Sequence, residues 1–168
     1  FDITVQGQYD IISIFFTLTG IYYYLKGSMP KFIFWFAVAI VFKLFAMFIF
    51  IPLILLKEKK IHRIVLQIGL VSSLYLLSMK LTPVLTPEAV AVNVGHSGSI
   101  FKNTLPLFVK PVPIFVIATI ILYFYCYFQN SENNIQWKAI FVSYLSMAIL
   151  FVFSYSNPYW NIIMAPYM

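Results

Sequence analysis

Apolar positions in this chain do not alternate; they run in continuous blocks separated by short polar stretches. Block A runs from Tyr9 to about Leu25 and closes on "KGSMP". Block B runs from Lys31 to Leu56, interrupted by Lys43 and Pro52, and is followed by the basic stretch "KEKKIHR". Block C covers Ile61 to about Met79, and a long polar loop from Lys80 to Lys110 contains "NVGHSGS". Block D covers Pro111 to Phe128, and the link "QNSENNIQ" leads to block E, Trp137 to about Tyr155. "SNPYW" then opens a sixth block. A helix needs about 20 apolar residues to cross a bilayer, and most blocks approach that length. Continuous runs without period-two alternation argue against a membrane β-barrel. The pattern predicts an all-α polytopic membrane protein with about five to seven transmembrane or re-entrant helices. No internal repeat and no soluble domain is evident, so residues 1–168 read as one transmembrane domain. The chain starts at Phe1 without an initiator Met and stops inside its sixth apolar block, which leads us to expect a fragment of a longer protein.

Composition strengthens this reading. The chain is 62% hydrophobic and 10% charged, well outside the range of an ordinary soluble domain. The net charge is +6, but the basic residues flank apolar blocks instead of forming a patch. They therefore read as topology determinants, and nucleic acid is not an expected partner. The single cysteine, Cys126, lies in an apolar run, so neither an intrachain disulfide nor a cysteine-rich metal site is possible.

Charge also bears on the path of block B. If B crosses once, the flanking cations divide evenly between the two sides and give no orientation. If B enters and returns, Lys26, Lys31, Lys57, Lys59, Lys60, Arg63 and Lys138 share one side, and Lys80, Lys102 and Lys110 share the other. Seven against three marks the first side as cytoplasmic. Length opposes the hairpin, because each half of B spans only about 20 Å of a core about 30 Å thick. A hairpin must then end inside the membrane, where its non-helical backbone faces protein or a water-filled cavity. The hairpin broken near Lys43 is the preferred form, with "QGQYD", Lys43, the Lys80–Lys110 loop and "SNPYW" all toward the extracytoplasmic side.

Lys43 carries the sharpest chemical signal. A lysine within an apolar run costs several kcal/mol, roughly 2.5–3.5 on insertion scales, and faces a polar interior. Its ammonium suits the phosphate of a lipid-linked substrate. The competing reading is structural, a pair with Asp10 or with carbonyls at a helix break, or snorkelling. Asp10 and Gln8 sit at the mouth of block A, where an acid can cap the helix or shape a site. His96, between Gly95 and Gly98, can bind a hydroxyl or phosphate or exchange a proton, although a lone loop histidine is more often solvated. Only Glu88 is near it in sequence, so no metal site is assigned, no cofactor is identifiable and a divalent metal is left open. No phosphate-cradling glycine loop, dinucleotide fingerprint or zinc-protease motif occurs. Tyrosines in "IYYYLK" and "ILYFYCYF" fit an interfacial belt.

"GQYDIISIFFTLTGIYYYLKG" followed by "FWFAVAIVFKLFAMFIFIPLILLKEKK" resembles the GT-C superfamily of integral-membrane glycosyltransferases. The residues that carry the resemblance are Gly7, Gln8, Asp10, Lys26, Lys43, Pro52 and Lys57 to Lys60. The resemblance covers Val5–Arg63, and more loosely Ser156–Met168, where "SNPYWNIIMAPYM" is similar to an aromatic loop-to-helix step; the middle of the chain matches in hydropathy alone. It implies transfer of a sugar, with inversion, from a polyprenyl-phosphate carrier to an extracytoplasmic glycan, lipid or protein acceptor. It implies a general base in an outer loop that would precede Phe1. Lys43 then becomes a phosphate contact, with Gln8, Asp10 and His96 around the substrate. A bacterial plasma membrane is the expected location. A transporter or flippase for lipid-linked sugars is the main alternative, and a purely structural membrane subunit the third.

Overall fold

The computed structural model describes residues 2–81, 104–107, 110–129 and 134–153, with the backbone alone at 2–10, 79, 81, 105–107, 110 and 111. Six helices and a short hairpin occur among these residues. They are α1 (Asp2–Leu25), α2 (Met29–Phe42), α3 (Ala46–Lys57) and α4 (Ile61–Leu81), strands β1 (Thr104–Leu107) and β2 (Lys110–Pro113), then α5 (Ile114–Phe128) and α6 (Ile135–Phe153). Block A is one helix that begins at Asp2, earlier than the expected Tyr9. It ends in a Schellman-type stop. Gly27 takes the left-handed conformation at φ 78°, while Gly27 and Ser28 donate their amides to the carbonyls of Tyr24 and Tyr23, each at 3.0 Å. Pro30 lies in the first turn of α2, where its missing N–H costs nothing.

Helices α1 and α2 run antiparallel and approach closely. A methyl group built on Gly20 would lie 2.5 Å from Cδ2 and 2.7 Å from Cε2 of Phe36, a fully buried side chain. Small residues at such crossings let backbones approach and dispersion contacts accumulate.

Block B is broken. Helix α2 stops at Phe42, Lys43 is extended at φ −154° and ψ 123°, and α3 begins at Ala46. The halves fold back on each other. In a continuous helix Phe36 and Phe50 would be separated by about 21 Å, yet their ring centroids lie 5.4 Å apart, and Phe32 stacks on Phe50 at 5.3 Å. Pro52, expected as a second interruption, instead sits buried inside α3 without ending it. Its missing N–H removes one rung of the helix ladder, which packing around it tolerates.

The return of α3 gathers the cations at one end of the bundle. Three consecutive tyrosines of α1 each take a lysine from a different element. The ammonium of Lys26 lies 4.5 Å from the Tyr22 ring, that of Lys31 5.1 Å from Tyr23, and that of Lys57 5.4 Å from Tyr24. Glu58 organises the turn into α4 by accepting the amides of Lys59 and Lys60, each at 3.1 Å. These amides and the nearby Arg63 guanidinium hold the Glu58 carboxyl below its ordinary range.

Helices α3 and α5 lie parallel. Phe48, near the start of α3, meets Phe115 of α5 edge to face at 5.2 Å. At their other ends the Lys59 ammonium donates to the carbonyls of Leu55 at 2.9 Å, Cys126 at 2.9 Å and Tyr127 at 2.7 Å. The Tyr127 hydroxyl in turn donates to the Lys59 carbonyl at 3.3 Å. Burial pulls the Lys59 ammonium down from the usual lysine range, and these carbonyls offset that cost by accepting all three of its protons. Helix α6 packs on α3 with a narrow face, where the hydroxyls of Ser143 and Ser146 bond back to the carbonyls of Ala139 and Val142.

Helices α4 and α6 are each long and apolar enough to cross a membrane. Their apolar surface is largely uncovered by the bundle. Helix α4 lies against α2, burying Ile64 and Val71 while Leu66 remains 68% exposed and Val65 63%. The described residues also depart from an all-helical chain in one place. Strands β1 and β2 pair antiparallel, with Thr104 opposite Pro113 and Pro106 opposite Pro111, across the end of the expected loop and the first residues of block D, whose helix therefore begins only at Ile114.

Two outcomes follow for stability in detergent. Gly20→Ala lowers it by about 1–3 kcal/mol, since Phe36 has no room to yield. Gly69→Ala, with nothing within 4 Å of the added methyl, leaves it unchanged or raises it by up to about 1 kcal/mol through helix propensity; thermal unfolding of the two variants compares them directly. Lys59→Met lowers stability by about 2 kcal/mol or more, because it strands carbonyls at two helix ends, whereas Lys60→Met stays within roughly 0.5 kcal/mol. Equal melting temperatures for the two lysine variants would remove Lys59 from its structural role.

Candidate functional site

The hairpin tip at Lys43–Phe45 lies part-way along the bundle. Helices α2 and α3 have 14 and 12 residues, against 24 in α1 and 21 in α4. At 1.5 Å per residue the tip stands about 20 Å from the basic end. Aromatic contacts fix its level on α1, since Phe16 stacks on Trp35 at 5.5 Å and on Phe42 at 5.8 Å.

The last regular hydrogen bond of α2 is reinforced by a second donor from α1. The buried Ser13 hydroxyl donates to the Ala39 carbonyl at 3.1 Å, and the Lys43 amide donates to the same carbonyl at 2.9 Å. Thr17, one turn along, donates to the Ser13 carbonyl at 2.8 Å. On the far side of the break, Ala46, Met47 and Phe48 donate to Lys43, Leu44 and Phe45 in tight three-residue turns. Lys43 itself is half-buried, with its ammonium 5.9 Å from the Phe45 ring.

Electrostatics at the tip are asymmetric. Lys43 follows the negative end of α2 and precedes the positive end of α3. An anion placed there meets one ammonium and one helix N-terminus, the two features that bind phosphate elsewhere. The first amides of α3 are already engaged in the tight turns, so the helix contributes its dipole more than its donors.

The other expected site residues are placed unequally. Gln8 and Asp10 lie inside α1, and their side chains are outside the described residues. Because α1 starts at Asp2, Asp10 cannot be its N-terminal cap, which corrects the capping alternative. In helical register Asp10 falls about one turn beyond Ser13, so the backbone of "GQYD" continues α1 past the level of the tip. His96, Glu88, Lys102 and the "SNPYW" stretch lie outside the described residues. Among the described residues no three His, Cys, Asp or Glu side chains gather into a metal-binding group.

Ser13 was missed from sequence. The signal was present in "SIFFTLTG", where Ser13, Thr17 and Gly20 fall on one face of an apolar helix, the pattern of a close helix crossing. No protein-family model, curated protein or solved structure matches this chain.

Ser13→Ala removes the side-chain donor at the break and lowers stability by about 1 kcal/mol. Thr19→Ala, which loses an exposed bond to Phe15 within one helix, costs less; denaturant unfolding of both variants distinguishes the buried bridge from the exposed one.

Proposed function

We propose that this chain is a membrane-embedded helical bundle whose basic end faces the cytoplasm, and that its Lys43 end binds the phosphate of a lipid-linked sugar in a glycosyltransferase. One observation carries the reading. An apolar segment breaks at a lysine about 20 Å from the basic end, then returns to that end, leaving Lys43 beside the N-terminus of α3. The uncovered apolar faces of α4 and α6 support the membrane, since a soluble bundle would expose that surface to water at about 25 cal/mol per Å². Seven cations flank the end to which the hairpin returns, the charge asymmetry expected of a cytoplasmic face.

The reaction rests on the resemblance to GT-C enzymes. The acceptor oxygen bonds to the anomeric carbon as the bond from that carbon to the polyprenyl-phosphate oxygen breaks, inverting the centre. The acceptor proton passes to a base that the resemblance puts outside this chain. Negative charge grows on the departing phosphate, and Lys43 stabilises it there more than in the ground state. Gln8 and Asp10 belong to the same end through α1, and His96 is a further candidate there. The acceptor is an extracytoplasmic glycan, lipid or protein, and the bacterial plasma membrane is the proposed location.

The helix break also favours a second reading. Transporters bind substrates at discontinuous helices near the middle of the membrane. The two separate on product: an enzyme yields a new glycosidic bond and free polyprenyl phosphate, and a flippase yields neither.

The test uses the full gene product with a short-chain polyprenyl-phosphate sugar. Lys43→Leu is expected to reduce transfer at least 100-fold while melting near the wild type, and Lys43→Arg to retain part of the activity, roughly the loss of one electrostatic contact. Full transfer by Lys43→Leu overturns the phosphate role. Translocation of intact lipid-linked sugar without bond cleavage replaces the enzyme with the transporter.

A further inference from the structure

A groove of ≈ 280 Å³ opens on the outside of the bundle between α3 and α5, lined by Leu55, Ile120, Tyr123, Phe124 and Tyr127 without polar surface. Ile120, Tyr123, Phe124 and Tyr127 follow helical spacing along one face of α5, so the groove runs about 10 Å inward from the basic end. Its head is the Lys59 clamp. The carbonyls of Leu55 and Tyr127, two of its lining residues, are bonded by the Lys59 ammonium, which also lies 5.7 Å from the Tyr127 ring.

Charge surrounds that head. Lys60 is exposed and next in the chain, and Lys138 of α6 is close enough to disfavour the charged form of Lys59. The described carboxylate at this end, Glu58, is engaged by two amides and by Arg63 at 3.5 Å. In sequence a second carboxylate, Glu132, lies in the link between α5 and α6. Counted in sequence over the segments that meet here, Lys26–Lys31, Lys57–Arg63 and the α5–α6 link with Lys138, cations outnumber acids seven to two. Phe128, 75% exposed, and Trp137, 74% exposed, stand on either side of that link as an aromatic rim.

We infer that the groove between α3 and α5 seats one acyl chain of an anionic phospholipid, with its phosphate held at the basic rim by the exposed Lys60. The lining decides between a lipid chain and another helix. A helix partner needs small residues for close approach, whereas these walls are large, apolar and aromatic. Charge complementarity decides between an anionic and a zwitterionic headgroup, each lysine near the surface favouring the anionic one by roughly fivefold. Lys59 itself spends its donors on carbonyls, so it sets the local charge and the shape of the groove without bonding the phosphate. This site rests on the membrane reading above but stands apart from Lys43 and from sugar transfer.

The experiment reconstitutes the full gene product with phosphatidylglycerol or with phosphatidylcholine of identical chains, then counts lipids retained through detergent exchange by native mass spectrometry. Wild type is expected to keep one phosphatidylglycerol in preference to phosphatidylcholine. Ile120→Trp, at a half-exposed position where bulk fills the groove without entering the core, abolishes that retained lipid. Lys60→Gln lowers the preference roughly fivefold. Lys43→Leu binds phosphatidylglycerol as the wild type does, so full transfer by that variant with the lipid retained overturns the Lys43 role alone, and loss of the lipid from wild type with transfer intact overturns this site alone. Equal retention of the two lipids, undiminished binding by Ile120→Trp, displacement by a polyprenyl phosphate, or a second copy of the chain in place of lipid overturns the site. A protein that stays in water without bilayer overturns it together with the membrane reading.

Discussion

The rest of the bundle depends on the Lys59 ammonium. Helices α3 and α5 are parallel, so their negative ends converge and their last carbonyls lack intrahelical donors. Parallel neighbours of this kind repel at their ends unless a cation intervenes. Lys59 meets both ends with three donors and three acceptors, a match that neither arginine's planar fork nor an uncharged side chain reproduces. By holding α3 beside α5 it works with the aromatic contacts at Phe16, Phe42 and Phe50 that set where the hairpin tip stands. Helix α6 packs on the same α3, so the helix that Lys59 anchors is one on which two others rest.

The break at Lys43 answers a separate constraint. Non-helical backbone away from water must find partners, and here the last helical bond of α2 is doubled by a donor from α1. Ala39 offers one carbonyl to two donors, the Lys43 amide within the chain and the Ser13 hydroxyl from α1. The close approach at Gly20 is what brings α1 near enough for Ser13 to reach across. A larger residue at 20 would push the helices apart at Phe36, so the glycine in one part of α1 and the serine two turns away serve the same contact.

Much of this architecture was legible in the sequence, for reasons that differ by element. The break at Lys43 followed from charge and against length, since only a returning block B collects seven cations on one side. The helix blocks followed from continuous apolar runs. Lys59 was not legible. In "KEKKIHR" it is one of several lysines, and nothing local distinguishes the one that turns inward to two helix ends. Pro52 misled for the opposite reason, because a proline reads as a break while the surrounding packing of α3 holds it in place. The strands were hidden by Pro106 and Pro111, which lack ladder donors and demote a strand reading. The extent of α1 was hidden by Gln6, Gly7 and Gln8, which look like a loop by composition yet lie within a helix. At the site, Lys43 was found from its cost, and Ser13 was overlooked because a serine in an apolar helix usually bonds only its own preceding turn.

Lys43 and Lys59 make opposite use of the same chemistry. Lys59 lies where two helices end, so dipoles and carbonyls favour its charge, and stability alone accounts for it. Lys43 lies where one helix ends and another begins, and the two dipoles there oppose each other. The field that holds Lys59 in place is therefore largely absent around Lys43. The two lysines therefore sit in different local fields, and the anion site proposed at Lys43 draws on the helix N-terminus beside it. That positive end of α3 adds to the attraction of the Lys43 ammonium for an anion, whereas at Lys59 two negative helix ends hold the cation itself.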